Sequence, residues 1–85
     1  MRVRVSITRR PGILDPEGKA ITRALGDLGF AEVADVGTGK LLLLDFSGDL
    51  SAEQALARAR EMCEKLLANP VMEQYAVEIV DSPGA

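Results

Sequence analysis

From Arg2 to Thr8 the chain alternates strictly, with Val3, Val5 and Ile7 on one side and Arg2, Arg4, Ser6 and Thr8 on the other. This is the pattern of a strand that buries one face. Arg9-Arg10-Pro11-Gly12 breaks it. Asp15-Pro16-Glu17-Gly18 then opens a helix. Asp15 offers a carboxylate to the free amides, Pro16 fits the first helical position, and Glu17 complements the positive helix end. Ala20, Ile21, Ala24, Leu25 and Leu28 recur at helical spacing, leaving Lys19, Thr22, Arg23 and Asp27 outward. Gly29 supplies a left-handed C-terminal cap, and Phe30 is placed to fold back over the last turn. A second strand is read from about Glu32 to Thr38, where Val33, Ala34, Asp35 and Val36 do not declare which face is buried.

The centre of the chain is Val36 to Phe46, a glycine-punctuated turn followed by four leucines. In a strand, Leu42, Leu44 and Phe46 share one face, and Leu41, Leu43 and Asp45 share the other. The turn Gly37-Thr38-Gly39-Lys40 superficially resembles a phosphate loop, but such a loop needs amides at a helix N-terminus and a strand follows here. A hairpin turn, with glycine where positive φ is required, is the reading it supports. After a loop at Ser47-Gly48-Asp49, Ser51 caps a second helix, with Gln54 in capping-box position and Leu50 stapling against Ala55. Its apolar stripe runs through Leu56, Ala59, Met62, Cys63, Leu66 and Leu67, opposite Arg58, Arg60, Glu61, Glu64 and Lys65. Asn69-Pro70 ends it. A last strand, Glu73 to Val80, sets Tyr75, Val77 and Ile79 against Ala76, Glu78 and Val80, and Ser82 to Ala85 should fray.

The order is strand, helix, strand, twice over. Two right-handed split crossovers of this kind interleave into an α+β fold, the ferredoxin-like βαββαβ plait: a four-stranded antiparallel sheet with two helices on one face. The first and third strands are then central. Leu42, Leu44 and Phe46 belong under the helices with Val3, Val5, Ile7, Val77 and Ile79. The bare face is left with Leu41 and Leu43 beside Ala76 and Val80, rimmed by Arg2, Arg4, Asp45 and Glu78. An apolar patch in a charged frame is the anatomy of a protein interface, so an oligomer contact is expected at Leu41, Leu43, Ala76, Val80, Arg2 and Arg4.

Composition narrows the chemistry. The 85 residues are 47% hydrophobic and 27% charged, which describes a single globular domain over 1–85. A chain this short buries only about 60% of the surface its unfolded form exposes, so association would help it. A net charge of −3 and a pI near 4.8 oppose a nucleic-acid surface. No apolar run reaches membrane-spanning length and the N-terminus alternates, so a cytoplasmic location is expected. Histidine is absent and Cys63 is the sole cysteine, which removes the commonest general base and any disulfide within the chain. With no histidine to activate it and apolar neighbours on its helix face, Cys63 reads as a buried inert thiol. Arg9-Arg10 invites a phosphate reading but stands before Pro-Gly, as a solvated turn does.

Taken together, Asp15-Pro16-Glu17-Gly18, the Gly39-Lys40 turn before the leucine strand, and Met62-Cys63-Glu64-Lys65-Leu66-Leu67-Ala68-Asn69-Pro70 resemble the PurS family, the small subunit of phosphoribosylformylglycinamidine synthase in purine biosynthesis. The likeness spans nearly the whole chain, and Leu41 departs from it where members often carry an aromatic. The resemblance implies a subunit without catalytic residues or cofactors of its own. It would form a dimer or tetramer and join a large ATP-dependent synthetase subunit to a glutaminase subunit, with ATP, Mg²⁺ and glutamine used by those partners. Contacts with them are expected from Arg9, Arg10, Arg58, Glu61 and Lys65. Three other readings compete. An acylphosphatase would need a run of glycines after the first strand, an RNA-binding plait would show aromatics on its bare face, and a ligand-sensing dimeric regulatory domain shares the plait and is the main alternative.

Overall fold

A computed structural model of the chain describes residues 1–80; the expected fraying of Ser82 to Ala85 lies outside them. The elements run β1 (Arg2–Arg9), α1 (Pro16–Asp27), β2 (Gly39–Asp45), α2 (Ala52–Met62), a π-helical turn (Cys63–Leu67) and β3 (Glu73–Val80). β1 lies at the centre of a three-stranded antiparallel sheet ordered β2-β1-β3. Its register sets Val3 opposite Leu44 and Ile79, Val5 opposite Leu42 and Val77, and Ile7 opposite Lys40 and Tyr75.

α2 packs on the face carrying Val3, Val5 and Ile7, which are all buried. Ala55, Ala59 and Cys63 recur every four residues along α2 and its π-helical continuation, and each is 0% exposed. Small side chains in that stripe let the helix backbone sit close to the sheet, and Leu42, Leu44, Phe46, Leu67, Tyr75 and Val77 fill the margins. The predicted capping box is present: Gln54 N–H donates to Ser51 Oγ at 3.1 Å and Ser51 N–H to Gln54 Oε1 at 2.9 Å. Met62 and Leu66, assigned to the core stripe by spacing, stand 39% and 82% exposed.

The four-stranded plait is corrected in two respects. Residues 33–38 form no strand, so the sheet has three strands among the described residues and the leucine strand is an edge, not a centre. Nor do both helices cover the sheet: α1, whose one buried residue is Gly18, leaves Ile21, Leu28 and the following Phe30 exposed. The cause is a staple at the base of α1. Asp15 caps the helix by accepting from Gly18 N–H at 2.9 Å, and also accepts from Thr38 N–H at 2.7 Å and from the Thr38 hydroxyl. Gly18 lies so close to the Val36 carbonyl oxygen that a Cβ there would collide with it. The 33–38 run is thus held along α1, and its unpatterned sequence gives it no buried face with which to resist.

The hairpin expected at Gly37–Lys40 is likewise absent, because no strand precedes it. Neither Gly37 nor Gly39 has positive φ. Gly39 is required for space instead: a Cβ would run into the Ile7 carbonyl oxygen across the ladder. Gly29 does adopt positive φ, +99°, and Phe30 N–H closes the helix by donating to Leu25 O at 2.9 Å.

Candidate functional site

The uncovered face of the sheet is built by the outward residues of three strands. Arg4 lies opposite Leu43 on one side and Glu78 on the other; Ser6 lies between Leu41 and Ala76; Arg2 lies between Asp45 and Val80. The six residues expected at the oligomer contact, Arg2, Arg4, Leu41, Leu43, Ala76 and Val80, are therefore brought together on one surface. Leu41 is 60% and Leu43 48% exposed. Because β1 is central, the arginines run through the middle of the face and do not rim it.

Those arginines are held by cross-strand carboxylates. Arg2 grips Asp45 with two bonds, Nε to Oδ1 at 2.6 Å and Nη2 to Oδ2 at 3.0 Å. Arg4 Nε reaches Glu78 Oε1 at 2.8 Å. The bond from Arg2 holds the Asp45 carboxyl below the usual carboxylate range, and the same bond raises Arg2 further. Each of the two arginines thus has its charge compensated by a carboxylate on a neighbouring strand. Such a surface offers apolar area beside charges that already have partners, although each pair must still be desolvated when the face is covered.

The five residues expected to touch partner subunits fall in two separate places. Arg9 and Arg10 lie at the end of β1 and are engaged internally: Arg9 Nη1 donates to Leu14 O at 2.5 Å and Arg10 Nε to Pro70 O at 2.8 Å. Arg10 N–H also donates to Met72 O at 2.9 Å, so this pair ties the loops at that end of the sheet. Arg58 and Glu61 on α2 and Lys65 on the π-helical turn form an exposed ion-pair row, with Lys65 Nζ 3.0 Å and Arg58 Nη1 3.7 Å from Glu61. Lys65 lowers the Glu61 carboxyl.

Beside that row is a feature that sequence spacing did not show. Leu44, Met62, Leu66 and Leu67 line an apolar groove of about 290 Å³ along the helix side of β2, edged by Arg58, Glu61 and Lys65. The signal was the width of the stripe, since Met62 and Leu66 flank Cys63 on a helix already seated through Ala55 and Ala59. Cys63 itself is buried, and burial pushes its thiol up. Tyr75 donates to Glu64 at 2.7 Å, which raises its hydroxyl and ties β3 to the π-helical turn.

The sequence matches the family described as PurS, phosphoribosylformylglycinamidine (FGAM) synthase, over residues 2–81. It is 45% identical over 86% of this chain and 90% of the relative to the phosphoribosylformylglycinamidine synthase subunit PurS of Archaeoglobus fulgidus. The crystal structure of PurS from Methanocaldococcus jannaschii, one of the subunits of formylglycinamide ribonucleotide amidotransferase in the purine biosynthetic pathway, superposes with a TM-score of 0.79 at 39% identity, covering 91% of this chain and 92% of that one. A chain in the structure of PurLQS from Thermotoga maritima gives 0.78 at 27% identity, covering 91% and 93%. This chain belongs to the PurS family, the PurS subunits of FGAM synthase in purine biosynthesis.

Proposed function

We propose that this chain is a non-catalytic, assembling subunit of FGAM synthase. It pairs with itself through the uncovered sheet face, as a dimer or tetramer, and joins the large ATP-dependent synthetase subunit to the glutaminase subunit so that ammonia released from glutamine reaches the synthetase. ATP, Mg²⁺ and glutamine belong, on this reading, to the partners, and the cytoplasm is the compartment it implies. No helix among the described residues is long and apolar enough to cross a membrane. Arg9 and Arg10 at one end of the sheet, and Arg58, Glu61 and Lys65 along α2 and its π-helical continuation, are two separate surfaces available to two different subunits.

The observation that carries the reading is the pair Leu41 and Leu43, exposed on a sheet face whose arginines are already neutralised. The T. maritima relative solved as part of PurLQS supports the subunit role. The test reconstitutes the matching synthetase and glutaminase with ATP and glutamine. Adding this chain should raise glutamine-driven amidine formation at least tenfold, while the rate with free ammonium changes little. Equal glutamine-driven rates with and without the chain defeat the proposal.

A further inference from the structure

We propose that the cavity at the base of α1 is a binding site for a phosphate group, free or as the monoester of a small ligand, held by Arg9, Arg10 and Lys19. The site goes beyond the assembling role proposed above and does not depend on it.

The cavity measures about 250 Å³ and lies where the end of β1, the turn from Arg10 to Ile13, the first turn of α1 and residues 35–38 converge. No single segment makes it. The Asp15 staple draws Thr38 and its neighbours against α1 and so supplies one of the walls. Along the chain Arg9-Arg10 reads only as a solvated turn, because Lys19 and that wall come from elsewhere in the sequence.

The chemistry lies in how the arginines are anchored. On the bare face Arg2 and Arg4 are each held by a carboxylate, which compensates the charge. Arg9 and Arg10 are each held by a carbonyl oxygen instead, that of Leu14 through Nη1 and that of Pro70 through Nε. A carbonyl fixes a guanidinium and leaves its full charge, and each anchor uses only one of the five N–H donors. The turn is stiff as well. Ile13 N–H donates to Arg10 O at 3.1 Å, and Gly12, at φ +88°, follows Pro11 where such a turn requires positive φ.

Lys19, on the first turn of α1, brings a third cation to the cavity. Among the described residues none of the three is ion-paired. Of the two carboxylates in the lining, Asp15 already accepts from Gly18 and Thr38, and Asp35 is the other. Three cations against two carboxylates leave the lining positive in a protein whose net charge is −3. Like charges held together repel, and an anion between them removes that cost. A tetrahedral oxyanion suits cations arriving from three segments, since it turns oxygens toward all of them, whereas a carboxylate has two oxygens in one plane. The volume lies below the roughly 300–1,000 Å³ of pockets that enclose a whole drug-sized ligand, and so fits the phosphate group itself.

The isotope-labelled chain, titrated with inorganic phosphate at an ionic strength held constant with sodium chloride, should show saturable amide NMR shifts at residues 8–13 and 35–38. Ribose 5-phosphate distinguishes the two sources: tighter binding assigns the site to a phosphate monoester, weaker binding to free phosphate, and either supports the proposal. Lys19→Gln should weaken binding about tenfold, the loss of one charged hydrogen bond. Arg23→Gln removes the same charge from α1 outside the cavity and should leave the affinity nearly unchanged. Both side chains are exposed, so both variants keep the fold. Absence of saturable shifts overturns the proposal. Equal weakening by the two variants also overturns it, by reducing binding to general charge attraction. Acetate binding as tightly as phosphate overturns it too, and would give the cavity to a carboxylate of a partner protein.

Discussion

Asp15 does two jobs with one carboxylate. As the N-cap of α1 it accepts from Gly18, and across 23 residues of sequence it accepts from Thr38. The bonds from Gly18 and then Thr38 lower its pKa. The folded value lies below the ordinary carboxylate value near 3.9, so the stabilisation is complete above that pH and is lost as pH falls through the lowered value. A thermal-melt series across the acid range should therefore show a shallower acid limb for Asp15→Ala than for the wild type. An identical slope would mean that the staple is not formed in solution. Gly39→Ala tests a steric demand: its Cβ meets the Ile7 carbonyl, and denaturant unfolding should show a loss of about 1–3 kcal/mol, the range of overpacking. The cap was legible because capping residues sit within four positions of each other. The bond to Thr38 was not, since nothing local in Gly37-Thr38-Gly39 marks Thr38 as the partner of a distant carboxylate.

Among the elements, β2 separates two kinds of leucine. Leu44 packs against the buried cluster of β1 and α2, whereas Leu43 lies on the open face. Leu44→Ala should cost about 2 kcal/mol, the low end for a leucine beside a core, and Leu44→Glu should abolish cooperative unfolding. Leu43→Glu should leave the far-ultraviolet spectrum unchanged while weakening self-association; an unchanged sedimentation profile would remove the bare face from the interface. β1, α2 and β3 were readable from periodicity because each buries a face against the chain's own core. The expected strand over 32–38 had no such face, and turn residues alone did not make a strand of it. The closed plait needs a strand between α1 and the leucine strand, and this chain has none there, so placing β2 at the centre and α1 on the sheet followed from the expected fourth strand and failed with it.

At the scale of the molecule, the radius of gyration is 16.3 Å and the extents are 51 × 33 × 15 Å. A compact chain of this length has a radius of roughly 12 Å. A fold that exposes this much surface draws stability from whatever binds it, by mass action. The melting temperature should rise with protein concentration over the micromolar range, and addition of the synthetase subunit should raise it again. A concentration-independent melt would show that the single chain is self-sufficient. Sequence composition had already indicated association, through surplus apolar residues on a short chain. It did not say which surfaces stay open, because an uncovered face leaves no trace in the order of elements along the chain.

The open edge of β2 has a further consequence for how the chain behaves before its partners arrive. Leu41 to Leu44 form a short, uncharged, strand-forming run on an edge that is free to add another strand, the kind of segment from which fibrils grow. Lys40 and Asp45 stand at its two ends, where charges act as gatekeepers against strand-by-strand growth. Among the described residues those two charges flank the run and oppose such growth in an unpaired chain. Lys40→Val should therefore leave the assembled subunit intact while making the isolated chain polymerise, which thioflavin fluorescence would detect.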